Sequence, residues 1–324
     1  MFIALLLTAL CVASARATPD DDLTALLSMK KGLTWTTPPP PTWSPSYPAC
    51  QWELVTCDGT VVQQIAWSSI GLQGFLNLTL VPTGATAISA SFNQLSGGVD
   101  LDHLPEGLIS LDLGNNVLSG NAGLTRLPST MTTLDLHENR FSGSPDLTQL
   151  PKGMTTLQVY NNGFSGTPVL SNLPQTMTVL DLSTNAFSGT PDLTTISSTI
   201  TNLDLNLNSF TGTPDLTQLP SSLVDIDLSQ NRFSGVLNLT ALPRGLQVLE
   251  LSNNDFSGTL DLSSLPPLNF FDLYLNGFCG VMPFPNNAPW CASFYAPKVC
   301  AGGRDAALGC PGSETNGNIT CPPC

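Results

Sequence analysis

Leu134-Asp135-Leu136-His137-Glu138-Asn139-Arg140-Phe141-Ser142-Gly143 is answered 23 residues later by Leu157-Gln158-Val159-Tyr160-Asn161-Asn162-Gly163-Phe164-Ser165-Gly166. The same phrase recurs along most of the chain. Asn93, Asn116, Asn139, Asn162, Asn185, Asn208, Asn231 and Asn254 are each 23 residues apart, and Asn276 follows after 22. An earlier copy, Ile65-Ala66-Trp67-Ser68-Ser69-Ile70, keeps the register with Ile in place of Asn. Ten copies of a unit of about 23 residues predict a solenoid in which each coil contacts only its neighbours.

Apolar residues at alternate positions, such as Leu134 and Leu136, predict a short strand with one face in the core. Stacked coils then place these strands in one parallel sheet. The Asn turns the chain out of the strand, and its amide is expected to satisfy backbone groups of the adjacent coil that burial would leave unpaired. Two residues on, Leu72, Leu95 and Leu118, then Phe141, Phe164, Phe187, Phe210, Phe233, Phe256 and Phe278 form an apolar column. Core packing accounts for it without a cofactor. The second half of each unit reads as Ser142 to Pro151 does, Ser-Gly-x-Pro-Asp-Leu-Thr-x-Leu-Pro. Pro cannot donate to a ladder and Asp caps turns, so this half should be extended or 3₁₀-like. Asp100, Asp146, Asp192, Asp215 and Asp261 share one position there, and turn capping explains them. The fold class predicted is an α/β-type solenoid, a right-handed superhelix with a parallel β-sheet on its concave face and an irregular or 3₁₀ convex side.

Of the 324 residues 41% are apolar and only 10% charged, so Ser, Thr, Asn and Gln must dress the surface. Ten Lys and Arg against 24 Asp and Glu give a net charge of −14 and a pI near 4.1. Such a surface disfavours nucleic acid and anionic lipid. Phe2 to Val12 is an apolar run followed by small residues ending Ala15-Arg16-Ala17, which fits an export signal over 1–17. It is short of the ~20 residues that span a bilayer, and no other stretch supplies a span or a GPI signal. Cleavage would remove Cys11 and leave an even number of cysteines, which in an exported chain points to disulfides. Sequons at Asn77-Leu78-Thr79, Asn238-Leu239-Thr240 and Asn318-Ile319-Thr320 agree with export. The first two replace the repeated Asp of the convex half.

The L-x-L-x-x-N phrase is that of the leucine-rich repeat. Before it, Asp20 to Lys31 has an acidic start and a basic end, which suits a helix. Then comes Cys50-Gln51-Trp52-Glu53-Leu54-Val55-Thr56-Cys57. Together these resemble the amino-terminal cap of plant-type leucine-rich-repeat ectodomains, with its C-x-W-x-x-V-x-C motif. Glu53-Leu54 stands where that family often has a Gly before Val, a departure expected to touch packing alone. Gly277-Phe278-Cys279-Gly280 with Cys291 resembles the carboxy-terminal cap. The resemblance implies bridges Cys50–Cys57 and Cys279–Cys291. Cys300, Cys310, Cys321 and Cys324 keep three possible pairings. The organisation it implies is a signal peptide (1–17), an N-terminal cap (18–64), ten repeats (65–278), a C-terminal cap (279–300) and a Cys/Gly/Pro-rich tail (301–324). The chain is similar to polygalacturonase-inhibiting proteins and receptor-kinase ectodomains. Its unit with Asp-Leu-Thr-x-Leu-Pro-x-x-Met, as at Asp146 to Met154, is more similar to leucine-rich surface proteins of kinetoplastid protists. Both resemblances imply recognition of macromolecules, not catalysis.

Outward strand positions are where a site is expected, because successive strands align side chains about 4.8 Å apart. The residue between the two core positions runs Asp112, Asp135, Gln158, Asp181, Asp204, Asp227, Glu250, Asp272. Neighbouring like charges at that spacing repel by about 1 kcal/mol even in water, so cations or a basic partner should compensate. Duplication of one ancestral unit would also produce the column. Its break is more informative: Gln158 and Tyr160 face outward beside His137, and amphipathic aromatics in a polar field are favoured anchors. With two His in the chain and no H-E-x-x-H, G-x-S-x-G or phosphate loop, no catalytic set is expected, nor a metal or cofactor. The expectation is an extracellular or cell-surface module, not an enzyme, that binds a protein or glycan ligand through the concave sheet. A secreted inhibitor of the polygalacturonase-inhibitor type and a passive surface-coat protein are the competing readings.

Overall fold

The computed structural model describes residues 18–278 and the backbone of two short strands, Val281–Pro283 and Asn318–Thr320. The expected signal peptide, the Cys279–Cys291 bridge, the four tail cysteines and the Asn318 side chain lie outside the described residues. Ten strands, from Val61–Ala66 and Ala87–Ser89 through Thr133–Asp135 to Phe270–Asp272, pair in chain order as one parallel sheet, hereafter the concave sheet. Val55–Asp58 covers its first edge antiparallel. The register never slips between coils: Leu134 lies opposite Leu157, and Leu157 opposite Leu180. A constant register keeps every inward Leu in the core and every outward residue in its column.

A second parallel sheet, which the sequence reading does not anticipate, is built from the residues after each Asn. It runs from Leu72–Gly74 through Arg140–Gly143 to Gly277–Phe278, and the cap strand Leu33–Trp35 pairs antiparallel with its first member. Phe141 and its equivalents point from this sheet into the core. Their rings stack from Phe141 to Phe278 with centroids 5.9–6.3 Å apart and planes within 15°. The remainder of the convex half is irregular backbone with short turns, and one 3₁₀ segment at Leu78–Leu80. Asp146 caps its turn as expected, Oδ1 accepting from Thr148 N at 2.8 Å and Thr148 Oγ1 at 2.6 Å.

The repeated Asn is the joint between coils. Asn185 Oδ1 accepts from the backbone N–H of Phe164 in the preceding coil at 3.0 Å. Its Nδ2 donates back to Val159 O at 3.0 Å and, within its own coil, to Leu182 O at 3.2 Å and Ser183 O at 2.9 Å. The same four-bond pattern recurs at Asn116, Asn139, Asn162, Asn208, Asn231 and Asn254. Every brace reaches toward the N-terminus. That direction explains Ile70, the one non-Asn: the first unit has no preceding repeat to hold, and Ile70 packs on the core instead. The residue before each Asn takes a left-handed φ of 48–55°, as at Glu138 and Leu207. This conformation costs a residue with a Cβ about 1–2 kcal/mol, and the four-bond brace holds it.

In the cap, helix Pro19–Lys30 starts with a reciprocal capping box between Thr18 and Asp21. Asp22 does not serve the dipole alone. It is 1% exposed, and its Oδ2 accepts from Val62 N at 2.8 Å, fastening the helix to the first repeat strand. Trp43 packs between Trp52 and Trp67, at ring distances of 5.8 and 4.8 Å. Cys50 and Cys57 form the implied bridge, with Cα atoms 5.7 Å apart. The departure at Glu53-Leu54 is a correction to the sequence reading. Leu54 has φ +64° and is 42% exposed, so the missing Gly strains the backbone and leaves packing untouched.

Candidate binding face

The concave sheet brings the expected column together. Asp112 lies opposite Asp135, Asp135 opposite Gln158, and the line continues through Asp181, Asp204, Asp227 and Glu250 to Asp272. The recurrent Asp has a local use. One carboxylate oxygen accepts the N–H two residues on, as Asp181 does from Ser183 at 3.0 Å and Asp227 from Ser229 at 2.8 Å. This tie ends the strand and holds the outward turn. Glu250 is one methylene longer and Gln158 lies beside the aromatic pair, so these two positions depart from that habit.

Among the described residues no Lys or Arg pairs with this charge. None of the Lys or Arg residues falls on the concave strands, and among the described residues both ion pairs involve His, at His103–Asp100 and His137–Asp135. Burial, then repulsion from Asp181 and Asp227, pushes the Asp204 carboxyl up to about 7, against the hydrogen bond from Asn206. Burial, with Asp227, Asp272 and Asp225 behind it, pushes Glu250 up to about 7 as well. Asp181 and Asp227 are raised chiefly by burial. Asn206 Nδ2 bridges two of them, donating to Asp204 Oδ1 at 2.8 Å and Asp227 Oδ2 at 3.1 Å. Asp225 belongs to the same patch and is raised by burial and by Asp227. Its signal was the Asp225-Ile226-Asp227 alternation, which puts both carboxylates on one face. The convex aspartates behave oppositely: hydrogen bonds from Thr148, Thr194 and Thr217 hold Asp146, Asp192 and Asp215 below the usual range.

At the other end of the line His137 and Tyr160 stack, centroids 4.6 Å apart and planes 14° from parallel. His137 Nδ1 meets Asp135 Oδ1 at 2.5 Å, and Nε2 meets Asn115 Nδ2 at 2.7 Å. An amide N–H facing Nε2 requires that nitrogen to accept, so the proton of the neutral ring sits on Nδ1. Burial raises the Tyr160 phenol, and Asp135, Glu138 and Asp181 add to it. Phe92, which the sequence reading passes over, approaches His137 edge-on at 6.5 Å and is 61% exposed. A phenylalanine in the left-handed position before Asn93, where most coils place polar residues, was the available signal. Among the described residues no group of three or more His, Cys, Asp or Glu is arranged to hold a metal ion. No helix among them is long and apolar enough to cross a membrane.

Residues 19–58 match the leucine rich repeat N-terminal domain. The fold recurs in solved structures. The PEPR1–AtPEP1 complex matches 87% of this chain with 45% of its own, at 24% identity and a TM-score of 0.68. A plant ice-binding protein matches 82% with 89% of its own, at 24% identity and a TM-score of 0.61. YopM from Yersinia enterocolitica WA-314 matches 69% with 49% of its own, at 24% identity and a TM-score of 0.53. The chain thus spans less than half the length of the first of these. No curated protein matches the sequence.

Proposed function

We propose that this leucine-rich-repeat chain is an exported binding module that holds a basic segment of a protein ligand along its concave sheet. One observation carries the reading: Asp181, Asp204, Asp227, Glu250 and Asp272 stand in register, part-buried, with no Lys or Arg on the strands that bear them. Guanidinium or ammonium groups laid along this line would offset the repulsion and draw protons off the raised carboxyls. The His137–Tyr160 stack supplies a flat, amphipathic anchor at one end, suited to an arginine or aromatic side chain. The Cys50–Cys57 bridge supports an oxidising compartment, and so secretion or the cell surface.

The test uses a synthetic peptide alternating Arg and Ser as probe, titrated calorimetrically at two salt concentrations. Replacing Asp181, Asp204 and Asp227 by Asn and Glu250 by Gln removes charge but keeps the turn acceptors. That variant should bind at least tenfold more weakly with a flatter salt dependence, while Tyr160→Ala should mainly speed dissociation. At pH 6.5 binding to the wild type should release protons, read as a buffer-dependent enthalpy. Wild-type binding by both variants, with no proton release, would remove the concave sheet as the site.

A further inference from the structure

We propose that Asn77 and Asn238 each carry an N-linked oligosaccharide whose first sugar rests on the apolar side chain two residues before it, Phe75 and Val236 respectively. Both asparagines occupy the convex position that other coils fill with Asp146, Asp192, Asp215 or Asp261. Both keep the turn that Asp makes. Asn77 Oδ1 accepts from Thr79 N at 3.1 Å and Thr79 Oγ1 at 2.8 Å, and Asn238 Oδ1 from Thr240 N at 3.0 Å and Oγ1 at 2.6 Å. Turn geometry therefore gives no reason to exchange Asp for Asn. The exchange alters only the second atom, from a carboxylate oxygen to an Nδ2 that makes no hydrogen bond among the described residues. An amide nitrogen is the atom a glycan needs.

The independent observation lies two residues earlier. At that position other coils carry Gly98, Asn121, Ser144 or a threonine such as Thr190, all compatible with a wet surface. Large apolar residues occur there in the two sequon coils alone, and both are exposed, Phe75 by 46% and Val236 by 61%. Each borders the glycine of the next coil, Phe75 beside Gly97 and Val236 beside Gly258, and leaves much of its own surface open to solvent. Residues two apart in an extended segment share a face at a separation of about 7 Å. A pyranose on Nδ2 reaches back over that distance and lays its C–H face on the phenyl ring or the isopropyl group, removing apolar surface from water. The donor class is a polyisoprenyl-diphosphate oligosaccharide of the export pathway. Nδ2 loses a proton and bonds C1 of the first sugar, whose bond to the diphosphate oxygen breaks, and the polyisoprenyl diphosphate leaves. The proposal shares only export with the binding reading, and both glycans sit on the convex half, off the concave columns.

The full chain secreted from eukaryotic cells is analysed by glycopeptide mass spectrometry after amidase release in heavy-oxygen water, which converts an occupied Asn to labelled Asp. Label at Asn77 and Asn238 is expected, and its absence at either overturns the proposal. Seating is read from melting midpoints in an Asn238→Gln background. The intact glycan and a form trimmed to one sugar should melt together, and complete release should lower the midpoint by about 2 °C. In Phe75→Ser that difference should vanish. An equal drop in Phe75→Ser would refute seating, because the drop would then come from the Asn-to-Asp change. Val236→Thr in an Asn77→Gln background repeats the comparison at the second site.

Discussion

Asn185→Ala removes both halves of one inter-coil brace. The backbone N–H of Phe164 and the carbonyl of Val159 lose a side-chain partner across the coil boundary, and Leu182 and Ser183 lose the donor within the coil. A buried backbone group left unpaired costs about 1–3 kcal/mol. Two such groups from the preceding coil, with water admitted to the vacated volume, give a loss of about 3 kcal/mol. Thr184, left-handed at φ 51°, also loses the bonds that hold it. The control is Asn121→Ala, an exposed asparagine outside the brace series, expected within about 0.5 kcal/mol of wild type. Denaturant midpoints by far-ultraviolet circular dichroism compare the two. Hydrogen exchange adds the direction: because the brace reaches backward, the amide of Phe164 should exchange faster, while that of Phe187, held by Asn208, should not. Equal midpoints, or faster exchange at Phe187 in place of Phe164, would refute the reasoning.

Leu54→Gly should raise stability by about 1 kcal/mol, since Gly accepts φ +64° without a Cβ penalty and Leu54 gives up little buried surface; a lower denaturation midpoint would contradict the strain assignment. The melting midpoint should also depend on pH in two directions. Asp204 and Glu250 ionise near 4 when unfolded and about 7 when folded, so the folded chain holds extra protons in that window. Stability therefore falls as pH rises from about 4 to about 7, then levels. Asp146, Asp192, Asp215 and Asp261, lowered by their turn hydrogen bonds, contribute stability that is lost as pH falls below their unfolded pKa. A maximum near pH 4–5 is expected, and Asp204→Asn with Glu250→Gln should flatten its upper arm. A midpoint indifferent to pH between 5 and 8 would show that the column is solvated.

The concave sheet and the Asn joint were legible because each rests on one residue type repeated at one spacing. Leu134 and Leu136 state the strand, and Asn139 states where it ends. The second sheet was not, since x-Phe-Ser-Gly is too short for an alternation to register, and its Gly is commonly taken for a turn. The strain at Leu54 escaped for another reason: sequence shows that a Gly is missing, but not the sign of φ at the position. In the binding face, the column and the His137–Tyr160 pair followed from strand parity. Phe92 and Asn115 did not, because Asn115 reaches His137 from the turn of the preceding coil and Phe92 from the coil before that, proximities that no pattern within one unit encodes.

A brace that always clasps the coil before it makes the 23-residue unit a unit of inheritance. Cutting the chain at any point in one repeat and rejoining at the equivalent point of another leaves each remaining Asn with a Phe or Leu N–H and a carbonyl to hold, so unequal crossing-over would yield a foldable chain of a different length. What recombination cannot preserve is position along the stack. Losing the unit from Leu157 to Val179 would bring Asp181 next to Asp135 and delete the Tyr160 that stacks on His137, altering the face while sparing the scaffold. Length variants of this chain are thus expected to differ in what they contact long before they differ in whether they fold.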